Sequence, residues 1–121
     1  MPDPLLNPSL NEAIIAETVK RFRWHCDRRG KLVMWEVFDG RLIKPLFKDI
    51  PPEEYSKLVH RLSLNSKSQS TNLLMAAKRS FITILRKVIE EFALDVDDAE
   101  IELKQLRRYC GLDNDASDDG V

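Results

Sequence analysis

Residues 55–92 read YSKLVHRLSLNSKSQSTNLLMAAKRSFITILRKVIEEF, and this stretch decides the fold of the chain. Its first part carries an apolar stripe at helical spacing, formed by Leu58, Val59 and Leu62. Ser66, with Gln69 three residues later, is the capping-box pattern that opens a new helix. After it, apolar side chains recur every three or four positions, at Leu73, Leu74, Ala77, Phe81, Leu85 and Val88. The pattern therefore predicts a short amphipathic helix, a polar turn and a long second helix.

The second predicted helix is basic for most of its length. Up to residue 87 it holds no acidic side chain, and its cations are Lys67, Lys78, Arg79, Arg86 and Lys87. Two helices joined by a polar turn, of which the second is basic, suit a helix-turn-helix that enters a DNA groove. Binding to double-stranded DNA is therefore the leading functional prediction.

The residue types at the start of this helix suit contacts with DNA. Asparagine pairs with adenine, threonine meets the thymine methyl group, and lysine reaches phosphate or guanine. The side chains predicted to face the major groove are Lys67, Ser68, Thr71, Asn72 and Met75. Lys78 and Arg79 are predicted to contact phosphates.

The chain resembles region 4 of bacterial RNA polymerase sigma factors, especially the extracytoplasmic-function type. YSKLVHRLSL (55–64) is similar to the family's YEEIAEILGI, and AAKRSFITILRKVIEEF (76–92) is similar to RARKRLRELLEEY. Upstream, WEVFDGRLI (35–43) resembles the helix REVFLLRYL that precedes the motif. Ser63 stands where the family has a turn glycine. Because a non-glycine residue at positive φ is disfavoured, we expect a wider turn.

The resemblance implies a compact helical domain that reads the promoter −35 element. It also implies protein partners, which are the flap of the polymerase β subunit or an anti-sigma factor. The chain lacks room for region 2, the part of such factors that melts the −10 element. We therefore expect either a C-terminal fragment of a longer sigma factor or a stand-alone regulator.

Length and charge fit one small domain with a mildly basic body. The chain has 121 residues and a net charge of −1. Residues 51–92 carry seven basic and four acidic side chains, whereas residues 93–121 carry three basic and nine acidic ones. The local sign of the charge matters more than the total for contact with phosphates.

The predicted fold class is all-α, because no segment alternates apolar and polar residues as a half-buried strand does. Besides the helix-turn-helix at about 52–91, helices are predicted at about 10–28, 31–44 and 96–109. We predict one helical domain over residues 1–111, followed by an acidic disordered tail over residues 112–121.

Other functional classes have little support in the sequence. No run of 18 apolar residues is present, and the first ten residues do not form a signal peptide, so a cytoplasmic protein is expected. The resemblance implies that it is bacterial. Cys26 and Cys110 lie outside any CxxC, which favours reduced structural thiols. His25 beside Cys26 lacks a second pair to complete a metal site. No catalytic or nucleotide-binding motif occurs, so we expect neither a cofactor nor an enzyme.

One alternative stays open at this stage. A helical protein–protein interaction module can keep such a fold without binding DNA. DNA binding needs Lys67, Lys78 and Arg79 on one exposed face, and the interaction module does not. A second basic segment, RFRWHCDRR (21–29), combines aromatic side chains with arginines. It is expected to bury Phe22 and Cys26 and to expose its arginines, and the alternative is that this segment faces nucleic acid.

Overall fold

The computed structural model describes residues 8–92 and 96–112, which form six α-helices and one π-helical turn. In chain order these are α1 (Pro8–Arg28), α2 (Leu32–Phe38), the π-helical turn (Asp39–Ile43), α3 (Lys44–Lys48), α4 (Tyr55–Arg61), α5 (Lys67–Phe92) and α6 (Val96–Tyr109). This part of the chain contains no strand, which confirms the all-α class. Among its helices none combines the length and the apolar character needed to cross a membrane.

The core is built around α5, which packs against α1, α2, α4 and α6. Phe81 of α5 meets Phe22 of α1 and Phe38 of α2, with ring centroids 5.8 Å and 4.8 Å away. Phe22 and Phe38 also pack edge to face at 5.0 Å. All three rings are buried. Edge-to-face and tilted ring pairs of this kind stabilise by about 0.5–1.5 kcal/mol beyond the area that they bury.

The apolar pattern of the sequence identified this core. The residues predicted to meet across the polar turn do so, since four are buried and the fifth is half-buried against them: Leu58, Leu74, Ala77, Phe81 and Leu62. In α1 the inner face also shows helical spacing, with Ile14, Ile15, Thr18 and Phe22 buried and Val19 partly so.

The helix predicted to end at residue 44 instead continues to Lys48 through the π-helical turn. Pro45 has no N–H, and its ring crowds the carbonyl four residues earlier in an ordinary α-helix. Just before it, the Lys44 N–H donates to the carbonyl of Asp39, five residues back. The wider π-helical turn places Pro45 in the first turn of α3, where a missing N–H costs nothing.

The turn between α4 and α5 is closed by a left-handed serine. Ser63 has a φ of 55°, the Leu64 N–H donates to the Val59 carbonyl at 2.9 Å, and the Ser63 N–H donates to His60. Gly30 ends α1 with the same pair of hydrogen bonds. Ser63 itself adopts the positive φ that glycine usually provides at this position. The turn is therefore not widened, contrary to the expectation from the sequence. The strain of a left-handed L-residue is about 1–2 kcal/mol.

The predicted capping box forms at the start of α5. The Gln69 N–H donates to the Ser66 hydroxyl oxygen at 3.1 Å. In return the Gln69 side-chain oxygen accepts the N–H of Asn65 at 2.6 Å, one residue before the expected partner. The two bonds satisfy backbone donors that a helix start leaves unpaired.

The packed part of the chain extends beyond the predicted boundary at residue 111. Leu112, assigned to the acidic tail, is buried in the core. Its N–H donates to the Arg107 carbonyl at 2.8 Å, so the turn that ends α6 folds Leu112 back onto the apolar face of that helix. The rest of the predicted tail, residues 113–121, lies outside the described residues.

Leu74→Asp should unfold the protein, because Leu74 is 1% exposed and a carboxylate there loses its hydration in an apolar core. We expect a loss of about 4 kcal/mol or more, measured by urea unfolding. The neighbouring exposed residue supplies the control, since Met75→Asp should change the free energy of unfolding by no more than about 0.5 kcal/mol. A Leu74→Asp protein that unfolds at the wild-type urea concentration would contradict this packing.

Ser63→Gly should stabilise the protein by about 0.5–1 kcal/mol, because glycine adopts a positive φ without the clash of a Cβ atom. The measurement is the midpoint of thermal unfolding. Ser63→Ala is the matched control, since alanine keeps the Cβ and should bring no gain. Equal midpoints for the glycine and alanine variants would show that Ser63 carries no strain.

Candidate nucleic-acid interface

Four of the predicted DNA-contacting residues share one exposed face of α5. They are Ser68, Asn72, Met75 and Arg79, and they form the outward face of α5. Their spacing of four, three and four residues keeps them within about 60° around the axis and about 16 Å along it. The opposite side of the helix is buried in the core. The outward face therefore presents hydroxyl, amide, thioether and guanidinium groups together.

The first turn of α5 holds two more predicted residues at the edge of this face. Lys67 is exposed, and its ammonium group lies 5.6 Å from the centre of the Tyr55 ring. Thr71 is half-buried, and its hydroxyl donates to the Lys67 carbonyl at 3.1 Å. That bond occupies the hydroxyl donor and leaves the methyl group as the contact that Thr71 can offer.

Lys78 does not join the outward face, which corrects the sequence prediction. It is 7% exposed and interacts inside the protein. The reason is its position, four residues after Leu74 and three before Phe81, which puts it on the stripe that α5 turns toward the core. Lys78 is therefore not on an exposed face with Arg79, so the arrangement expected for DNA binding is met by Lys67 and Arg79 only, and the position of Lys78 favours the interaction module.

Two arginines near α5 form ion pairs within the protein. Arg86 pairs with Glu100 of α6 at 2.9 Å, and Arg21 of α1 pairs with Glu91 at 2.6 Å. In the described residues Arg79 has no such partner. Arg79 and Lys67 are therefore the cations of this surface best placed to meet an external anion.

Glu53 fixes α4 and the turn relative to the helices before them. Its carboxylate accepts two hydrogen bonds from Arg61, at 3.0 Å and 2.9 Å, and Arg61 also pairs with Glu36 of α2. The Glu53 N–H donates to the Gly40 carbonyl at 2.9 Å. A Cβ atom at position 40 would lie 2.5 Å from a Glu53 carboxylate oxygen, so a larger residue there would displace the Glu53 side chain from its present position. These contacts tie the start of α4 to the π-helical turn.

The hydrogen bonds from Arg61 lower the pKa of Glu53 below its usual value of 4.5, although partial burial opposes the shift. The same bonds raise the pKa of Arg61, so the pair stays charged at neutral pH. Because water screens a half-exposed ion pair, this pair acts more by fixing the position of α4 than by adding to the free energy of unfolding.

The second basic segment and the two cysteines lie away from the outward face. In residues 21–29, Phe22 and Cys26 are buried as expected, while Trp24 is 62% exposed. Burial raises the pKa of the Cys26 thiol to about 11 and that of Cys110 to about 12, so both stay protonated. Both cysteines are free, and the described residues contain no His, Cys, Asp and Glu cluster that suits a metal.

Sequence reasoning missed one group of residues beside the outward face. Arg41, Tyr55 and Ser56 line a pocket with Lys67 at the start of α5. Arg41 lies 26 positions before Lys67 and belongs to a different helical segment, so no local spacing connects them. In the sequence, Tyr55 belongs only to the first predicted amphipathic helix. A hint was available in the resemblance of residues 35–43 to the helix before the motif.

Comparisons with protein-family models, with curated proteins and with solved structures find no match to this chain. The interpretation of this surface therefore rests on the contacts described above and on the resemblance noted in the sequence.

The pH dependence of stability should reveal the Glu53–Arg61 pair. Because the pKa of Glu53 is lowered in the folded state, its contribution is complete above the unfolded pKa of about 4.5 and is lost as the pH falls through the folded pKa. We expect wild type to lose more stability between pH 5.5 and pH 3 than Glu53→Gln does, measured by urea unfolding at each pH. Glu54→Gln, next in the chain, is the control and should follow wild type. Parallel curves for wild type and Glu53→Gln would contradict the role of this pair.

Proposed function

We propose that this chain is a DNA-binding transcription protein resembling sigma factor region 4, in which α5 is the recognition helix. The supporting observation is the outward face of α5, where Ser68, Asn72, Met75 and Arg79 stand together on a helix held rigidly from behind. An α-helix of this kind fits the major groove of B-DNA. The activity is binding, without turnover.

Each residue of the site has a separate task in this proposal. Asn72 reads a base edge through its amide, and a bidentate pair with adenine discriminates by about 1–3 kcal/mol. Ser68 hydrogen-bonds a base or a phosphate, and Met75 and the Thr71 methyl group make apolar contact with thymine. Arg79 and Lys67 meet phosphates at the edges of the groove. Lys78 has a structural role in the core.

The partners follow from the resemblance. The proposed DNA target is a promoter −35 element, and the proposed protein partner is the flap of the polymerase β subunit or an anti-sigma factor. With few cations on the outward face, the chain alone should bind DNA with modest affinity at physiological salt. Attachment to polymerase would then raise the effective concentration of α5 at a promoter.

A second candidate is a helical protein–protein interaction module, and two observations favour it, of which the first is that Lys78 does not share an exposed face with Arg79. Trp24 is 62% exposed beside Leu32, and both line a groove of about 580 Å³ between α1 and α2 with Trp35 at its base. Exposed apolar groups that lie together often mark contact with another protein. Such a module would not need the polar residues of the outward face.

Selection of binding sites from random DNA duplexes tests the proposed function. We expect enrichment of one short sequence, bound with micromolar affinity or tighter at low salt and more weakly as salt rises. Asn72→Ala should lower the affinity for the selected duplex by about 1–3 kcal/mol and affect a scrambled duplex much less. Arg79→Glu should weaken both duplexes alike, because phosphate contacts carry no sequence information.

Lys104→Glu is the matched control, since Lys104 is exposed on α6 and the charge change is the same size. Absence of enrichment, or equal affinities for Arg79→Glu and Lys104→Glu, would refute DNA reading by α5 and favour the interaction module. Thermal unfolding of each variant shows that the fold is retained.

A further inference from the structure

A pocket lies beside the outward face of α5, where the π-helical turn, the start of α4 and the start of α5 meet. It is open to solvent, has a volume of about 650 Å³, and is lined by Arg41, Glu54, Tyr55, Ser56, Val59 and Lys67. Lys67 belongs both to this pocket and to the edge of the outward face. A group bound in the pocket would therefore adjoin whatever contacts α5.

Two cations are gathered around one aromatic ring in this pocket. The guanidinium carbon of Arg41 lies 4.2 Å from the Tyr55 ring centre, and the Lys67 ammonium group lies 5.6 Å from the same point. The two charges are thus no more than about 10 Å apart, since both distances share the ring centre. Cation–π contacts hold each side chain in place, so ligand binding orders them at a reduced entropic cost.

The position of Arg41 is also fixed by the backbone. Its Nη1 donates to the Glu53 carbonyl at 3.0 Å, and Glu53 is itself held by Arg61 and Gly40. The planar guanidinium suits the oxygens of a phosphate, and the lysine ammonium adds a point charge. The Ser56 hydroxyl is a third donor in the lining. A phosphate with donors on opposite sides spans roughly 8 Å between donor nitrogens, which lies within the upper limit of about 10 Å for these two cations.

We propose that this pocket binds a phosphate group, and that the group is a backbone phosphodiester of the DNA that α5 reads. This assignment of the source rests on the proposed function. In this proposal Arg41, Tyr55 and Ser56 form the phosphate site. The site supplies a phosphate contact that buried Lys78 does not make. A phosphate fixed here sets the depth and register of α5 in the groove.

Glu54 makes the proposal sharply testable, because its carboxylate lines the same pocket and repels an anion. Neutralising Arg41 and neutralising Glu54 must therefore change phosphate binding in opposite directions. Glu54 precedes α4 and makes no capping hydrogen bond with its side chain, so Glu54→Gln leaves the helix start intact. A purely structural role for this region would not produce effects of opposite sign.

The experiment measures duplex affinity as a function of salt concentration for wild type, Arg41→Gln, Lys67→Gln, Glu54→Gln and the distant control Lys104→Gln. Loss of one phosphate contact should make the slope of log affinity against log salt shallower by about 0.9. We expect this for Arg41→Gln and Lys67→Gln, severalfold tighter binding for Glu54→Gln, and no change for Lys104→Gln. Glu54 is exposed, so Glu54→Gln tests the pocket even if Arg41→Gln folds poorly, whereas Lys67→Gln also removes the phosphate contact of the proposed function.

A second arm uses inorganic phosphate without DNA, followed by the NMR shifts of the Ser56 and Lys67 amides. We expect the shifts to saturate below about 1 mM phosphate in wild type and not in Arg41→Gln, which would support the phosphate pocket. If the variants leave duplex binding unchanged, that result assigns the pocket to a free phosphate. If wild type binds duplex, all variants share its slope and no saturable shift appears, the pocket proposal fails and the proposed function stands. If wild type binds no duplex, the proposed function fails, and absence of a saturable shift then overturns the pocket as well.

Discussion

The packing of Phe22, Phe38 and Phe81 is the interaction on which the rest of this structure depends. Three rings from three helices meet with centroids 4.8 to 5.8 Å apart, and none is accessible to water. Truncation of such a side chain costs about 3–5 kcal/mol, a large part of the stability of a domain of this size. The cluster fixes α1 and α2 along one side of α5. The other side of α5 is thereby presented to solvent as a rigid surface, which any reading of DNA requires.

A second constraint, centred on Glu53, sets the position of α4. This helix has only seven residues and gains little stability of its own, so the contacts of Glu53 with Arg61 and Gly40 hold it against the segment before it. The turn that follows uses Ser63 in a conformation that costs an L-residue free energy. Backbone strain of this kind clusters at functional sites. Here the strained turn lies beside a candidate binding surface and fixes how α4 approaches α5.

The distribution of charge favours specificity over raw affinity in the proposed function. Ion pairs within the protein occupy Arg21, Arg61 and Arg86, and Lys78 points inward. The outward face of α5 has one cation among three uncharged side chains that suit base edges. Non-specific attraction to phosphates would then be weak, and the phosphate pocket proposed around Arg41 and Lys67 would carry a large share of it. The exposed groove at Trp24 leaves room for a protein partner at the same time.

The sequence by itself determined most of the helices, the cap of α5 and most of the core, because these depend on neighbours three or four residues away. Ser66 with Gln69 marked the start of α5, and the spacing of Leu74, Ala77 and Phe81 marked its buried side. The same spacing already placed Lys78 on that side, but its charge suggested a surface residue. Tertiary structure decided the continuation past Pro45 through a π-helical turn and the burial of Leu112. It also brought Arg41 to Tyr55 and Lys67, since contacts between segments distant in the chain depend on how helices pack and leave no periodic trace in the sequence.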